Sequence, residues 1–343
     1  MNIKPIISIL IPCRNEGKFI KRCLDSIIVQ NYPKEKLEVL IIDGMSEDET
    51  REILNSYIQK LPYVKLMDNP KKITPTALNI GLEKSKGDFI LWMSAHNEYK
   101  KDYISKCEQY LSSFNADAVG GIVKICPRKN NIVEKLICTA LSHPFGVGKS
   151  IHKIGSKYPR WTDTAFGVCY KKDIFEKVGK FNENLVRGQD MEFNMRLKKK
   201  GFKILLAPDI VSYYYPRSDL ISFLSHNLKN GLWSILPFKY TKIMPVSWRH
   251  LIPLTFVSVL IIFAALSFIS SIFLWLFLIT IGLYFLCNIY FSIIISLKEK
   301  NLISILIAPA IFTLLHLTYG LGSLWGLSKV LLSKQFWENR FGK

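Results

Sequence analysis

Leu37 to Thr50 reads LEVLIIDGMSEDET, an apolar run that ends on Asp43 and passes through a glycine into a polar segment. The apolar part reads as a strand and the polar part as the opening of a helix, with Ser46 or Asp48 placed to cap its free amides. Upstream, IISILIP (6–12) is a buried strand, and an amphipathic helix follows from about Lys18 to Gln30, with Ile20, Leu24, Ile27 and Ile28 on one face. Downstream, YVKLMDN (63–69) is a strand, Thr74 to Ser85 a helix, and DFILWMSAH (88–96) and DAVGGIVKI (117–125) two further strands. Strand and helix alternating in this way predict a parallel sheet with crossover helices.

From about Asn130 the pattern loosens. A helix runs through Cys138, SHPFGVGKS (142–150) carries glycines, and TAFGVCYKKDIFEKVG (164–179) reads as strand, turn and helix. NENLVRGQDMEFNMRLKKKGFKILLAPD (182–209) reads as loop, helix, glycine stop and strand. Trp233 and Trp248 then mix with Lys229, Lys239, Lys242 and Arg249, the composition of an interfacial helix.

Residues 251–296 contain no Asp, Glu, Lys or Arg, a length of about two bilayer crossings. After a polar break at Lys298, Glu299 and Lys300, Leu302 to Ser328 is a third uncharged run, interrupted by Pro309, His316, Gly320, Gly322 and Gly326. Four regions are expected: a catalytic domain over 1–219, an amphipathic linker over 220–250, a membrane region over 251–332 and a tail over 333–343. Ending the chain near Trp248 is expected to leave a soluble domain. No signal peptide is recognised, so the large domain is expected in the cytoplasm and the protein in the cell membrane with several passes. Lys334, Arg340 and Lys343 argue for a cytoplasmic tail, which a re-entrant third segment would allow. The seven cysteines are scattered, odd in number and without C-x-x-C spacing, which speaks against both zinc binding and a disulfide framework.

The net charge is +19, and because six basic and two acidic residues follow His250, +15 falls on residues 1–250. With hydrophobic spans present, the anionic partners this favours are lipid headgroups, a pyrophosphate-linked lipid and a nucleotide-sugar, with no nucleic acid.

A half sheet of this kind places ligands beyond the carboxyl ends of its strands. Three polar clusters fall there: Pro12, Cys13, Arg14, Asn15 and Glu16; then Asp43; then Ser94, Ala95, His96, Asn97 and Glu98. Each alone is weak, since an Asp at a strand end is commonly a turn former.

Their joint order resembles the family-2 glycosyltransferases of the GT-A fold. ISILIPCRNE, LEVLIIDGMSEDET, ALNIGLEKSKGDFILWMSAH and GQDMEFNMRLKKKGFKI match that family's motifs in sequence. PFGVG, DTAFG, FEKVGKFNENL, YYYPRS and RHLIPL are similar to the membrane-anchored succinoglycan-type enzymes. The resemblance implies an α/β fold, a GT-A (nucleotide-diphospho-sugar transferase) Rossmann-like mixed sheet followed by C-terminal transmembrane helices. It implies inverting, metal-dependent transfer of a sugar from a nucleotide-sugar to a lipid-linked acceptor in exopolysaccharide or cell-surface glycan synthesis. Asp190 is then the catalytic base. Pro12, Arg14, Asn15, Glu16, Asp43, Asp48 and Ser94 bind the nucleotide, and Asp163, Gln189 and Glu192 lie by the acceptor. His96 is the ligand of a divalent cation, Mn²⁺ or Mg²⁺, since neutral imidazole binds Mn²⁺ while Mg²⁺ prefers oxygen.

Two departures stand out: Ser94 occupies the place of the first acid of the family's D-x-D, and Gln189 that of the Glu in its later acidic pair. They keep open a catalytically silent, membrane-tethered scaffold, beside a second enzyme reading as a polyprenyl-phosphate sugar synthase. A processive synthase is disfavoured, because HNLKNGLWSILPF (226–238) lacks Q-x-x-R-W.

Overall fold

The computed structural model describes residues 4–216, 219–241 and 246–341. Arg217, Ser218, Lys242 and Lys343, and the side chain of Arg340, all used in the sequence reading, lie outside the described residues. In chain order the elements are β1 (Ile7–Cys13), α1 (Gly17–Ile28), β2 (Leu37–Asp43), α2 (Thr50–Ile58), β3 (Val64–Asp68), α3 (Thr74–Lys84), β4 (Phe89–Trp92) and β5 (Asn97–Tyr99). Then come α4 (Tyr103–Ser113), β6 (Ala118–Ile125), α5 (Ile132–Ser142), α6 (Pro144–Val147), α7 (Ile151–Ile154), β7 (Arg160–Thr162) and β8 (Phe166–Lys171). The remainder are α8 (Ile174–Val178), α9 (Gln189–Lys199), β9 (Ile204–Tyr214), α10 (Leu220–Ile235), α11 (Ile252–Leu266), α12 (Ser271–Glu299), α13 (Ser304–Leu331) and α14 (Lys334–Phe341). Contacts divide the chain into two compact units: residues up to Lys124 with Ile151–Tyr215, and Ile125–Ser150 with the residues from Pro216 onward.

The first unit holds one mixed sheet in the order β3-β2-β1-β4-β8-β6-β9-β5, with β7 paired to β9. β3, β2, β1 and β4 run parallel, and β8 joins β4 antiparallel. Side chains alternate across a strand, so each buried run feeds two cores. Ile7, Ile9, Ile11, Val39 and Ile41 meet Ile20, Leu24, Ile27, Leu54, Ile104 and Leu111 of α1, α2 and α4 on one face. Leu10, Leu40 and Ile42 meet Ala77, Leu78, Phe175, Phe193 and Leu197 of α3, α8 and α9 on the other. This is the expected α/β mixed sheet. α4, β5 and β7 were not among the expected elements. The segment 88–96, expected as one strand, ends at Trp92, and Asn97–Tyr99 pairs instead with β9.

The second unit is helical. Three helices among the described residues are long and apolar enough to cross a membrane, Trp248–Leu266, Ser271–Glu299 and Ser304–Leu331. Its buried core joins Leu136, Ile137 and Ala140 of α5 and Phe223 of α10 to Ile295 of α12 and Ala308, Ile311, Phe312 and Leu315 of α13. α10 touches α13 backbone to backbone: a Cβ on Gly322 would stand 2.0 Å from the Leu228 carbonyl oxygen, and one on Gly231 2.0 Å from that of Tyr319. Small residues permit this approach between helices.

Candidate active site

The first strand end is a tight weave around Asp43. Its carboxylate is fully buried. It accepts from the Ser46 amide at 3.0 Å and the Ser46 hydroxyl at 2.5 Å, and Arg51 lies 3.5 Å away. Asn15 takes the left-handed conformation (φ 53°), which Asn tolerates. Its amide donates to Ser46 Oγ at 2.9 Å, and its Oδ1 accepts from the Glu47 amide at 2.9 Å. The loop after β1 is thus tied to the loop after β2. Arg14 is exposed above it, 3.9 Å from Glu47.

Asp48 is exposed and accepts from the amides of Gly17 and Thr50, both at 3.1 Å, and from the Thr50 hydroxyl at 2.5 Å. Burial would raise its pKa, but the Thr50 and Gly17 hydrogen bonds prevail and hold it below the ordinary value. Ser46, the other expected cap of α2, is instead engaged by Asp43.

At the end of β4 the His96 ring is held at both nitrogens. Nε2 faces Ser94 Oγ at 3.1 Å and Nδ1 faces Glu16 Oε1 at 3.3 Å. The Glu16 contact fixes Nδ1 as the protonated nitrogen, and the Ser94 hydroxyl then donates to Nε2. Buried Tyr99 supports this turn, its hydroxyl accepting from the Ser94 amide at 2.6 Å. The Tyr214 ring lies 5.6 Å from His96. The structure therefore brings Glu16, Ser94 and His96 together, and Glu16 also reaches the Asp43 and Asp48 weave, its amide donating to Thr50 Oγ1 at 2.8 Å. Pro12 lies within β1, partly buried.

Among the described residues no group of three or more His, Cys, Asp or Glu gathers to hold a metal ion. Once the Ser94 hydroxyl hydrogen turns away from Nε2, the donor set fits a cation shared with a diphosphate, with Nε2 of His96 and the Ser94 oxygen on the protein side. It does not fit an ion enclosed by the protein alone.

Asp190 lies in the first turn of α9, which starts from Gly188 in the left-handed conformation (φ 75°). Burial raises its pKa above the ordinary aspartate value, against the opposing effect of the Met191 amide and its own. Among the described residues Asp190 forms no ion pair. Gln189 beside it is buried with its Oε1 lacking a hydrogen-bond partner among the described residues. Glu192 is buried and gripped by Arg196, with Nε to Oε1 at 2.7 Å and Nη2 to Oε2 at 3.0 Å. Arg196 also donates to the carbonyls of Val178 and Lys180, at 2.9 Å and 2.8 Å. Asp163 lines a separate cavity with Lys198 and Lys203, at the other end of α9.

Two residues that sequence reasoning passed over belong to the first cluster. Asp68 pairs in register with Asp43 at the end of β3 and binds Arg51 at 2.6 Å. Its signal was available, since it ends its strand as Asp43 does.

The Glycosyl transferase family 2 profile matches residues 8–179. This chain belongs to glycosyl transferase family 2. The family 2 chain is 34% identical over 234 residues to a dolichyl N-acetyl-α-D-glucosaminyl phosphate 3-β-D-2,3-diacetamido-2,3-dideoxy-β-D-glucuronosyltransferase of Methanococcus voltae, covering 66% of this chain and 71% of the relative. It is 26% identical over 316 residues to the succinoglycan biosynthesis protein ExoA of Rhizobium meliloti, covering 92% of each. The mannosyltransferase PcManGT of Pyrobaculum calidifontis, solved with GDP-Man and Mn²⁺, superposes with a TM-score of 0.61 at 18% identity, over 94% of this chain and 88% of that one. The GT-A fold and the succinoglycan-type resemblance both stand, and the chain is a glycosyltransferase.

Proposed function

We propose that this family 2 transferase moves a sugar, with inversion, from a nucleotide-sugar to a polyprenyl-diphosphate-linked glycan at the cytoplasmic face of the membrane. Residues 1–219 supply catalysis, 220–250 the linker, 251–332 the membrane segments and 333–343 the tail. One observation carries this reading: strand ends gathering Asp43, Asp48, Glu16 and His96 occur in one chain with three helices able to cross a membrane. Relatives support it, one named for a dolichyl-phosphate-linked sugar and one for succinoglycan synthesis.

In this reading Arg14, Asn15, Asp43 and Asp48 shape the nucleotide pocket, with Asp68 and Arg51 at its edge. Asp190 takes the proton of the acceptor hydroxyl as its oxygen attacks the anomeric carbon and the sugar–phosphate bond breaks. A positioned carboxylate contributes roughly 10²- to 10⁴-fold in this role. Gln189 Oε1 accepts from the acceptor, and Glu192 positions α9 through Arg196. A divalent cation, when bound, neutralises the leaving diphosphate. His96 and Ser94 would hold it, with Glu16 fixing the tautomer.

The test is a nucleotide-sugar screen on the detergent-solubilised full chain, with and without Mn²⁺, followed by turnover on lipid acceptors. Donor binding and extension of a polyprenyl-diphosphate-linked sugar are expected. Product on polyprenyl monophosphate alone would make it a polyprenyl-phosphate sugar synthase, and donor binding without turnover on any lipid would leave a silent scaffold.

A further inference from the structure

Some cations of the sheet unit are paired, such as Lys65 with Glu38, Lys71 with Glu183, Lys106 with Asp102 and Asp209, Lys177 with Asp173 and Lys180 with Glu83, and others, Lys60, Lys84 and Lys101 among them, are exposed without an ion pair among the described residues. One region sets such cations among exposed aromatic side chains. Lys157, Arg160, Lys198 and Lys203 are exposed, and none forms an ion pair among the described residues. From Lys149 to Thr162 the chain has no acidic residue. Two aromatic side chains stand out of the same segment, Tyr158 at 76% exposure and Trp161 at 49%. Burying either against protein would be the ordinary outcome for rings of this size.

β7 sets Trp161 beside the start of β9, with Trp161 opposite Leu205 and Thr162 opposite Ile204. The Lys203 ammonium lies 5.7 Å over the Trp161 ring. Between β7 and the end of α9 opens a cavity of about 320 Å³. Its lining combines apolar Ile151, Phe202 and Ile204 with Trp161, the cations Lys198 and Lys203, and the carboxylate of Asp163. Of the residues that the sequence places at the active site, only Asp163 lines it.

We propose that this basic, aromatic cavity and rim dock on the headgroups of anionic phospholipid. The four cations meet the phosphodiesters, Trp161 and Tyr158 enter the headgroup layer, and Asp163 accepts from headgroup hydroxyls. Two features favour lipid as the occupant. Unpaired cations interleaved with exposed tryptophan and tyrosine are complementary to a negatively charged interface that is wet on one side and apolar on the other. The same chain carries helices able to cross a bilayer, so that surface is at hand. The inference goes beyond the transferase reading and does not rest on it. It would orient the sheet unit at the membrane whichever sugar is transferred.

The test uses the full chain in lipid nanodiscs of phosphatidylcholine alone or mixed with phosphatidylglycerol, with a nitroxide-labelled phospholipid as quencher. The signal is the fluorescence that Trp161→Phe removes, read as a difference from the unaltered chain. Quenching of that component is expected to be severalfold greater in anionic discs and to fall as salt rises, because the Debye length shrinks from about 30 Å at 0.01 M to about 3 Å at 1 M. Changing Lys157, Arg160, Lys198 and Lys203 together to Gln should remove the anionic increment while nucleotide-sugar binding is unchanged. All four are exposed, so folding is not at stake. Equal quenching in neutral and anionic discs overturns the proposal. So does protection of Trp161 by soluble inorganic phosphate at the same level, which would mark a free-phosphate site, or an anionic increment that survives in the quadruple variant.

Discussion

At the scale of single residues the decisive one is Asp190. It stands at a helix start, where its other role would be to satisfy the free amides, and Asn does this about as well as Asp. Asp190→Asn is therefore expected to leave folding and donor affinity nearly unchanged while turnover falls by about 10² or more. Because burial raises the Asp190 pKa, the carboxyl holds its proton to a higher pH than an ordinary aspartate. The base works only when ionised, so turnover should climb with pH through that raised value, and a pH–rate profile should lose this limb in the variant. Near-normal turnover of Asp190→Asn would assign the residue to capping. Asp190 was legible because its neighbours in sequence carry the motif. The closure of Asp43 by Ser46 and Arg51, the grip of Arg196 on Glu192, and the His96–Glu16 contact were not, since they depend on which strand ends meet or which rotamers face each other.

At the scale of elements the parallel core was legible because β1 and β2 are apolar apart from Ser8, Glu38 and the closing Asp43. α4 was missed although its buried positions, Tyr103, Ile104, Cys107 and Leu111, recur at helical spacing between polar residues, so its signal was available. β5 and β7 escaped because strands of three residues carry no period. Glu38 tests how the core strands are joined. It is buried within β2, where its carboxylate accepts from Ser8 Oγ at 2.8 Å, the Lys86 amide at 2.9 Å and Lys65 Nζ at 3.1 Å. Burial would raise its pKa, but these three donors outweigh it and hold Glu38 below the ordinary glutamate value. The stability this contributes is fully present above the unfolded-state pKa and is lost as pH falls through the lower, folded value. Glu38→Gln should therefore lower stability near neutral pH by about 1 to 3 kcal/mol. The gap between the two proteins should narrow as the solution is acidified into and below the carboxylate range. Thermal unfolding of the detergent-solubilised full chain, followed against pH, measures this; a gap that does not change with pH would show that the charge of Glu38 contributes nothing.

At the scale of the whole molecule the three apolar helices were legible from composition alone, but the company they keep was not. Residues 125–150 fall within the catalytic domain expected over 1–219, and 220–235 within the amphipathic linker expected over 220–250. In the structure both supply buried side chains to the helical unit, Leu136, Ile137 and Ala140 from α5 and Phe223 from α10, all packed with α12 or α13. The Gly231 and Gly322 contacts lock α10 to α13 over the same stretch. A chain ended before Trp248 loses α11, α12 and α13 and keeps α5 and α10 with their inner faces uncovered. Each large apolar side chain left in water costs about 1.5 to 3 kcal/mol relative to its buried state. Exposed apolar faces of this kind associate. The expectation from sequence, a soluble fragment, therefore reverses: residues 1–247 should pellet or require detergent. Gly322→Val in the full chain should reproduce part of the defect, since its first added carbon already meets the Leu228 carbonyl. Sedimentation and size-exclusion chromatography without detergent decide the first point, and protease sensitivity of 220–235 in micelles the second. A monodisperse, detergent-free 1–247 fragment would show that α5 and α10 find other cover.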